Sequence, residues 1–396
     1  NDDLYIVTNQ YIPMYQEDVN IDDYLPNYSV NGMKVNAKYE DILYIEGVSP
    51  NSFTSFYALD LDHELVDMEV LLGDSGYNLY VSNENIYLVG TIYNYMLDYD
   101  LVLVDEDIES KTAIIKVAIN GASVVYQDYG IVKGRTLNQF SMDEHNGYLR
   151  IATTTGFGWW GSDDTNNRVF VLDEDLNVVS SIENLGKPRE TIKSVRFVGD
   201  FAYLVTFEQT DPFYVLDMSD PLDPLVLGEL EITGFSSYLQ PLGENFMLGI
   251  GFGDTSGGTS GIKISVYDVS DKTNPVVFDE VIYDYSEFGY SYSSVTYNHK
   301  DLLVSLSKGI IALPFTSYNY DEEGYNYNSG ILVFNFNEAD GLSVRGYVQH
   351  DQNTEEVYVY KSKFIDEYFY TVSNKYVKVS TLANPTNIIN TAAFPE

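Results

Sequence analysis

Ala202-Tyr203-Leu204-Val205-Thr206 is followed by Pro212-Phe213-Tyr214-Val215-Leu216-Asp217, and then by Met218-Ser219-Asp220-Pro221-Leu222-Asp223-Pro224. Two short runs of β-branched and aromatic residues close on an Asp/Pro cluster, which reads as strand, strand, turn. The pattern returns as Phe246 to Ile250, then Ile262-Lys263-Ile264-Ser265-Val266-Tyr267-Asp268, then Val269-Ser270-Asp271-Lys272-Thr273-Asn274-Pro275. Asp217 to Asp268 and Pro224 to Pro275 are the same 51-residue step, so the register is kept through the turn.

Weaker copies end at Asp60, Asn120, Asp173, Asn335 and near Ser380, with leading runs that start at Leu4, Ile86, Tyr148, Leu302 and Tyr368. A further β run follows each turn, such as Leu225-Val226-Leu227 or Val276-Val277-Phe278. A small, polar run then precedes the next copy: residues 137–141, 194–197, 236–239 and 293–296. Four strands per repeat of roughly 45 to 65 residues, with no competing helical period, predict an all-β fold, a β-propeller of four-stranded blades. Seven repeats are recognisable, and eight blades result if one lies upstream.

The strands of a blade are lettered A to D from the inside outward, and the small, polar run is A. One blade cannot bury both its faces, so neighbouring blades supply the core. Residues 1–396 read as a single propeller domain. The chain opens on a B-type strand at Asp3 to Thr8, so the first blade lacks an A strand of its own. Either the segment after Pro385 completes that blade, or the natural protein continues upstream of Asn1.

Lys and Arg number 21 against 60 Asp and Glu, a net charge of −39. Phosphate-binding surfaces need clustered Lys and Arg, so a nucleic-acid partner is excluded. Such charge keeps a chain soluble, and it also suits divalent cations, calcium before magnesium, held by oxygen ligands. There is no cysteine, which removes disulfides, thiol catalysis and Cys-based zinc. No apolar run approaches the ~20 residues that span a bilayer, so direct membrane insertion is not expected. The 36 Tyr, with abundant Asn, Asp and Ser, suit a wet recognition surface.

Catalytic signatures are missing. The four His, at 63, 145, 299 and 350, are isolated, with no H-E-x-x-H spacing. Asp173-Glu174-Asp175-Leu176-Asn177 starts like a calcium loop, but Val178 replaces the turn glycine and Asn184 stands where a bidentate Glu belongs. Asp105-Glu106-Asp107, and Asp163 and Asp164 with Asn166, remain candidate oxygen-ligand clusters. No G-x-S-x-G occurs, and the Gly-rich run from Gly251 to Gly258 lacks the Lys of a phosphate loop.

The stretches Thr136 to Glu144, Gly147 to Thr154, Ser194 to Phe197 and Tyr203 to Phe207 with Asp211-Pro212 carry a resemblance. They are similar to secreted bacterial and archaeal proteins with a C-terminal β-propeller domain distantly related to WD40 repeats. Tyr297-Asn298-His299-Lys300 and the opening Val7-Thr8-Asn9-Gln10-Tyr11 fit the same pattern. The match covers essentially the whole chain and is most specific from about Thr136 to Gly251. It implies a secreted or surface-attached protein and no activity. It also implies about one further blade upstream.

In an antiparallel blade the A–B and C–D turns share one face, and the B–C and D–A connections share the other. The former are short here: Asn83-Glu84, Gly199-Asp200, Asp60 to His63, Asp173 to Asn177. The B–C connections are long, namely Gln10 to Asn51, Tyr93 to Lys111, Gly156 to Asn167, Phe252 to Gly261 and Thr316 to Gly330, as is the D–A connection Tyr283 to Tyr292. Long connections on a rigid scaffold are where binding residues gather. They hold Phe157, Trp159 and Trp160, then Tyr318, Tyr320, Tyr325 and Tyr327, then Tyr285 and Tyr290. These rings either cap the ends of the blades or form an aromatic platform for an extracellular protein or glycan. The expected function is a secreted or cell-surface, non-catalytic interaction module. An extracellular enzyme acting on polysaccharide and a structural subunit of a surface assembly are the rivals.

Overall fold

The computed structural model describes residues 3–12, 20, 24–30, 33–44, 51–60, 65–73, 78–92, 110–156, 165–208, 211–253, 261–321, 324–352 and 357–395. Among them helix is limited to α1 (Tyr285–Phe288) and a few 3-10 turns; the other regular structure is strand. The first sheet uses β1 (Leu4–Tyr11), β4 (Ile42–Tyr44), β5 (Ser52–Leu59) and β6 (Leu65–Gly73), with β2 (Asn27–Val30) and β3 (Met33–Asn36) as a separate hairpin. The second is β7 (Asn78–Val81), β8 (Asn85–Ile92), β9 (Lys111–Ile119) and β10 (Val124–Lys133). The third is β11 (Met142–His145), β12 (Tyr148–Thr155), β13 (Asn166–Leu172) and β14 (Val178–Leu185). The fourth is β15 (Thr191–Val198), β16 (Phe201–Phe207), β17 (Asp211–Asp217) and β18 (Leu225–Ile232). The fifth is β19 (Phe235–Leu242), β20 (Phe246–Phe252), β21 (Ile262–Asp268) and β22 (Val276–Tyr283). The sixth has β23 (Tyr290–Tyr292), β24 (Leu303–Ser305), β25 (Ile310–Asp321), β26 (Gly324–Asn337) and β27 (Gly341–Gln352). The seventh is β28 (Val359–Ile365), β29 (Tyr368–Ser373), β30 (Tyr376–Thr381) and β31 (Asn390–Ala393).

Sheets two to five and seven are antiparallel meanders in chain order, the blade unit of a β-propeller. The chain divides into two compact units, Asn1–Arg189 with Asp220–Pro224, and Glu190–Ser219 with Leu225–Glu396.

In the first unit, alternation along β8 and β9 builds two cores at once. Ile86, Leu88, Ile115 and Val117 pack with Phe56, Ala58 and Leu71 of the first sheet. Tyr87, Val89 and Ile114 face the other way, onto Met142, Leu149, Ile151 and Phe170 of the third. A strand buried on both faces is what a sheet between two sheets requires, and a one-residue slip would exchange the two cores. In the second unit, Tyr203, Val205, Phe213 and Val215 pack against Leu239, Met247 and Tyr267. Ile310, Ala312, Ile331 and Val333 do the same against Val359 and Phe369.

In sheets three to six the Asp or Asn that closes the third strand has a job. Asp217 Oδ1 accepts from the Ser219 amide at 2.9 Å, and Asp268 Oδ1 from the Ser270 amide at 2.8 Å. Asp173 Oδ1 takes the Asp175 and Asn177 amides, and Asn337 Oδ1 those of Ala339 and Asp340. Each side chain satisfies amides that the strand ladder has abandoned, so the turn closes tightly.

Those turns also lock neighbouring sheets. The strands β6, β10, β14, β18, β22 and β27 each carry a one-residue bulge near their start. At or just past the bulge each receives the third-to-fourth turn of the next sheet. Asp67 Oδ2 accepts from Ser123 Oγ and the Val124 amide, Ser180 Oγ donates to the Pro221 carbonyl, and Asp279 Oδ2 accepts from the Leu342 amide. At Gly130, Gly228 and Gly346 the turn comes so close that a Cβ would fall 2.6 to 2.8 Å from Leu176, Lys272 and Thr386 respectively.

Four expectations need correction. The segment after Pro385 does not complete the first blade: β31 is the edge strand of the seventh sheet, paired with β30. The first sheet instead takes its fourth strand from within the long connection after β1, as β4 pairs parallel to β6. Ile12, Leu25 and Ala37 from the same connection cover the Phe53 and Val70 face of that sheet. Among the described residues, β5 is the one strand paired with β1. Residues 137–141 and 293–296 are not A strands; they contain 3-10 turns, and β11 follows the former. Finally, the run at Leu302 is the short β24, and the B strand of that sheet is β25; its C strand runs past Asn335 to Asn337.

Candidate functional site

Residues 316–330, expected as a loop, are the outer half of a long hairpin: β25 and β26 stay paired to Asp321 opposite Gly324. Ser317-Tyr318-Asn319-Tyr320 and Tyr325-Asn326-Tyr327-Asn328 alternate with period two, and Tyr favours strands. The Asn and Gly content disguises that period. β23 adds a third strand, with Tyr290 opposite Tyr318 and Tyr292 opposite Thr316. Directly opposed residues of antiparallel strands share a face. Tyr290 and Tyr292, with Tyr318, Tyr325 and Tyr327, therefore project from one side, and Tyr320 pairs with Tyr325 in the backbone register.

The rings touch. Centroids of Tyr290 and Tyr318 are 5.0 Å apart, those of Tyr290 and Tyr292 6.2 Å, and those of Tyr318 and Tyr325 6.3 Å. Tyr290 and Tyr325 are each 36% exposed and Tyr285 47%, whereas Tyr327 is buried nearer the core. Burial, then the neighbouring Tyr290, Tyr292 and Tyr285, hold the Tyr318 phenol above its usual range. The Tyr318 hydroxyl is thus neutral at ordinary pH, a donor and acceptor in a strongly acidic chain.

The face has a solid backing. Tyr283 packs on Phe288 at 5.1 Å and Phe315 at 4.9 Å, and Phe315 meets Tyr347 edge-on at 5.8 Å. Desolvation pushes the Tyr283 phenol up to about 12. Between α1 and β23, Gly289 takes φ +69°, and a Cβ there would fall against the Tyr318 carbonyl oxygen, so any side chain would collide. That glycine lets Tyr290 enter the sheet.

Of the residues singled out in the sequence, Tyr285, Tyr290, Tyr318, Tyr325 and Tyr327 are thus brought together, with Tyr320 in the same register. Tyr292 belongs with them, signalled by its i, i+2 spacing from Tyr290. Phe157, Trp159, Trp160, Asp163 and Asp164 lie outside the described residues, as do Asp105, Glu106, Asp107 and His63. Asn166 spends its amide on Asn184: its Nδ2 donates to Asn184 Oδ1 at 2.8 Å, and its Oδ1 accepts the Asn184 amide at 2.9 Å. Among the described residues no three His, Asp or Glu gather to hold a metal. No helix of the described residues is long and apolar enough to cross a membrane. Sequence reading missed a basic cluster, Arg196 with His299, Lys300 and Lys361; these residues come from three sheets, so no linear motif announces them.

Successive four-stranded sheets, five of them antiparallel meanders in chain order, with turn-to-bulge joints, define a β-propeller. The chain belongs to the beta propeller domain family, whose model matches residues 1–384. It is similar to an uncharacterized protein of Methanocaldococcus jannaschii, 46% identical over 169 residues, which is 43% of this chain and 26% of that protein. It is also similar to an uncharacterized protein of Archaeoglobus fulgidus, 38% identical over 248 residues, 63% of this chain and 34% of the relative. The chain thus spans about a third or less of the length of these curated relatives. The crystal structure of BamB from Moraxella catarrhalis matches over 86% of this chain and 82% of its own, at 12% identity and a TM-score of 0.37.

Proposed function

We propose that the chain is a non-catalytic interaction module of a secreted or cell-surface protein, and that it binds an extracellular protein or glycan through the tyrosine face of β23, β25 and β26. One observation carries the reading: Tyr290 and Tyr325, which a globular core would normally enclose, stand well exposed beside Tyr318 on a paired, aromatic-backed sheet, with the exposed Tyr285 of α1 next to them. Tyr offers large contact area at low rotamer cost together with a hydrogen-bonding tip, the chemistry of recognition surfaces. Neutral phenols also suit a partner without strong charge, such as a saccharide ring or an uncharged peptide segment. Asp163 and Asp164 with Asn166 stay in the proposal as a calcium-assisted contact, since hard cations take carboxylate and amide oxygens.

Panels of soluble glycans and peptides, offered to the purified domain with and without calcium, test this. Saturable binding that is competed by free ligand and lost on Tyr290→Ala supports it. Panels that find only ligands indifferent to Tyr290→Ala and Tyr325→Ala would overturn it.

A further inference from the structure

Basic side chains are scarce, 21 against 60 acids, yet three of them converge on one histidine inside the second unit. Arg196 stands on β15, His299 and Lys300 on the 3-10 turn His299–Asp301, and Lys361 on β28. The first strands of successive sheets lie side by side here, as Ser194 Oγ on β15 donates to the Ser236 carbonyl on β19 at 2.6 Å.

Tyr238 of β19 joins the group. The Arg196 guanidinium lies 5.6 Å from its ring centroid, and Nη2 donates to Tyr238 Oη and Gln240 Oε1, both at 3.1 Å. Tyr238 Oη in turn donates to Gln240 Oε1 at 2.8 Å. The His299 imidazole stacks on the same tyrosine, with centroids 6.1 Å apart and planes 24° from parallel. On the other side Lys361 Nζ donates to the Lys300 carbonyl and lies 3.4 Å from Asp301 Oδ1. Asp301 is buried and already accepts from Ser294 Oγ at 2.6 Å and Asn298 Nδ2 at 3.0 Å.

All three cations act on the one imidazole. Burial first, then Lys300, Arg196 and Lys361, push the His299 imidazole below its ordinary range, while Asp301 pulls it the other way. Stapling of adjacent strands explains the Arg196–Gln240 bond. It does not explain why like charges gather in a chain so rich in acids, because such gathering costs stability unless something offsets it. An anion between them would.

We propose that Arg196, His299, Lys300 and Lys361 form an oxyanion site, separate from the tyrosine face, that takes a phosphate group in preference to a single carboxylate. Arg supplies a planar fork of donors and Lys compact positive charge, the pair of chemistries that phosphate recognition combines. Tyr238 holds Arg196 and His299 in stacked order, and Asp301 fixes Lys361 without neutralising the rest.

Histidine NMR of the whole domain tests the proposal, with His299 assigned by His299→Gln among the four histidines. Inorganic phosphate should raise the His299 pKa saturably, by more than sodium chloride at matched ionic strength and more than glucuronate. Arg196→Gln and the exposed Lys300→Gln should each weaken that phosphate response about tenfold or more. Lys300→Gln should leave the melting temperature unchanged, so its loss of binding would not be a folding defect. Equal responses to phosphate and chloride would overturn the proposal. So would a response to glucuronate without one to phosphate, or undiminished binding in both variants.

Discussion

His350 sits 5% exposed, with Nε2 against Thr371 Oγ1 at 2.8 Å and Nδ1 without a hydrogen-bond partner among the described residues. Burial, then the Lys378 ammonium bonded to its carbonyl, pushes its pKa down to about 4. Unfolded, the ring would titrate near 6.5, so below that pH the unfolded chain binds a proton the native protein refuses. His350 therefore supports stability above pH 6.5, and its contribution is lost as pH falls toward 4. The full swing is roughly 3 kcal/mol. Denaturant titrations of wild type and His350→Gln across that range check this, since both proteins share the acids that titrate lower. The variant's stability should fall less steeply; parallel curves would show the imidazole to be accessible to protons.

The element scale is where sequence and structure diverge most instructively. Strands such as β16, β17, β20 and β21 were legible, because a strand buried on both faces must be apolar throughout and the Asp that ends it must cap a turn. The joints were not legible, since a bulge is a register slip that leaves no residue signature beyond an occasional glycine. Blade six misled for a related reason. The Asn-rich outer half of β25 and β26 satisfies its backbone by pairing, while its composition speaks of loop. For the site, the tyrosines could be named in advance, but not their sharing of one face, which depends on the pairing of β23 with β25. Joint energetics can be tested at Asp279, which accepts the Leu342 amide at 2.6 Å. Asp279→Ala should cost about 1–3 kcal/mol by leaving that half-buried amide unmet. Gly228→Ala, whose Cβ would press on the Lys272 carbonyl, should cost a similar ~1–3 kcal/mol through overpacking. By contrast, a Cβ at Gly121 meets nothing within 4 Å, and Gly121→Ala should lose only about 1 kcal/mol, from its positive φ. Equal losses at Gly228 and Gly121 would remove the joint from the account.

For the molecule as a whole, a charge of −39 is a standing self-repulsion. Raising salt from ~0.01 M to ~0.1 M shortens the screening length from about 30 Å to about 10 Å, so the melting temperature should rise over that interval. A flat melting curve series would mean that ion pairing already balances the acids. The central claim is that this acidic scaffold holds a neutral tyrosine surface for a partner. The measurement that addresses it most directly sets binding beside stability for the Tyr290→Ala, Tyr325→Ala double variant, using the tightest-binding glycan or peptide of the panel as probe. Aromatic anchors at an interface cost about 2 kcal/mol or more when truncated, so affinity should fall roughly thirtyfold or further. Stability should drop by no more than about 1 kcal/mol, because both rings are exposed and not part of the core. Undiminished affinity, or a domain that unfolds when the two rings are removed, would contradict the account.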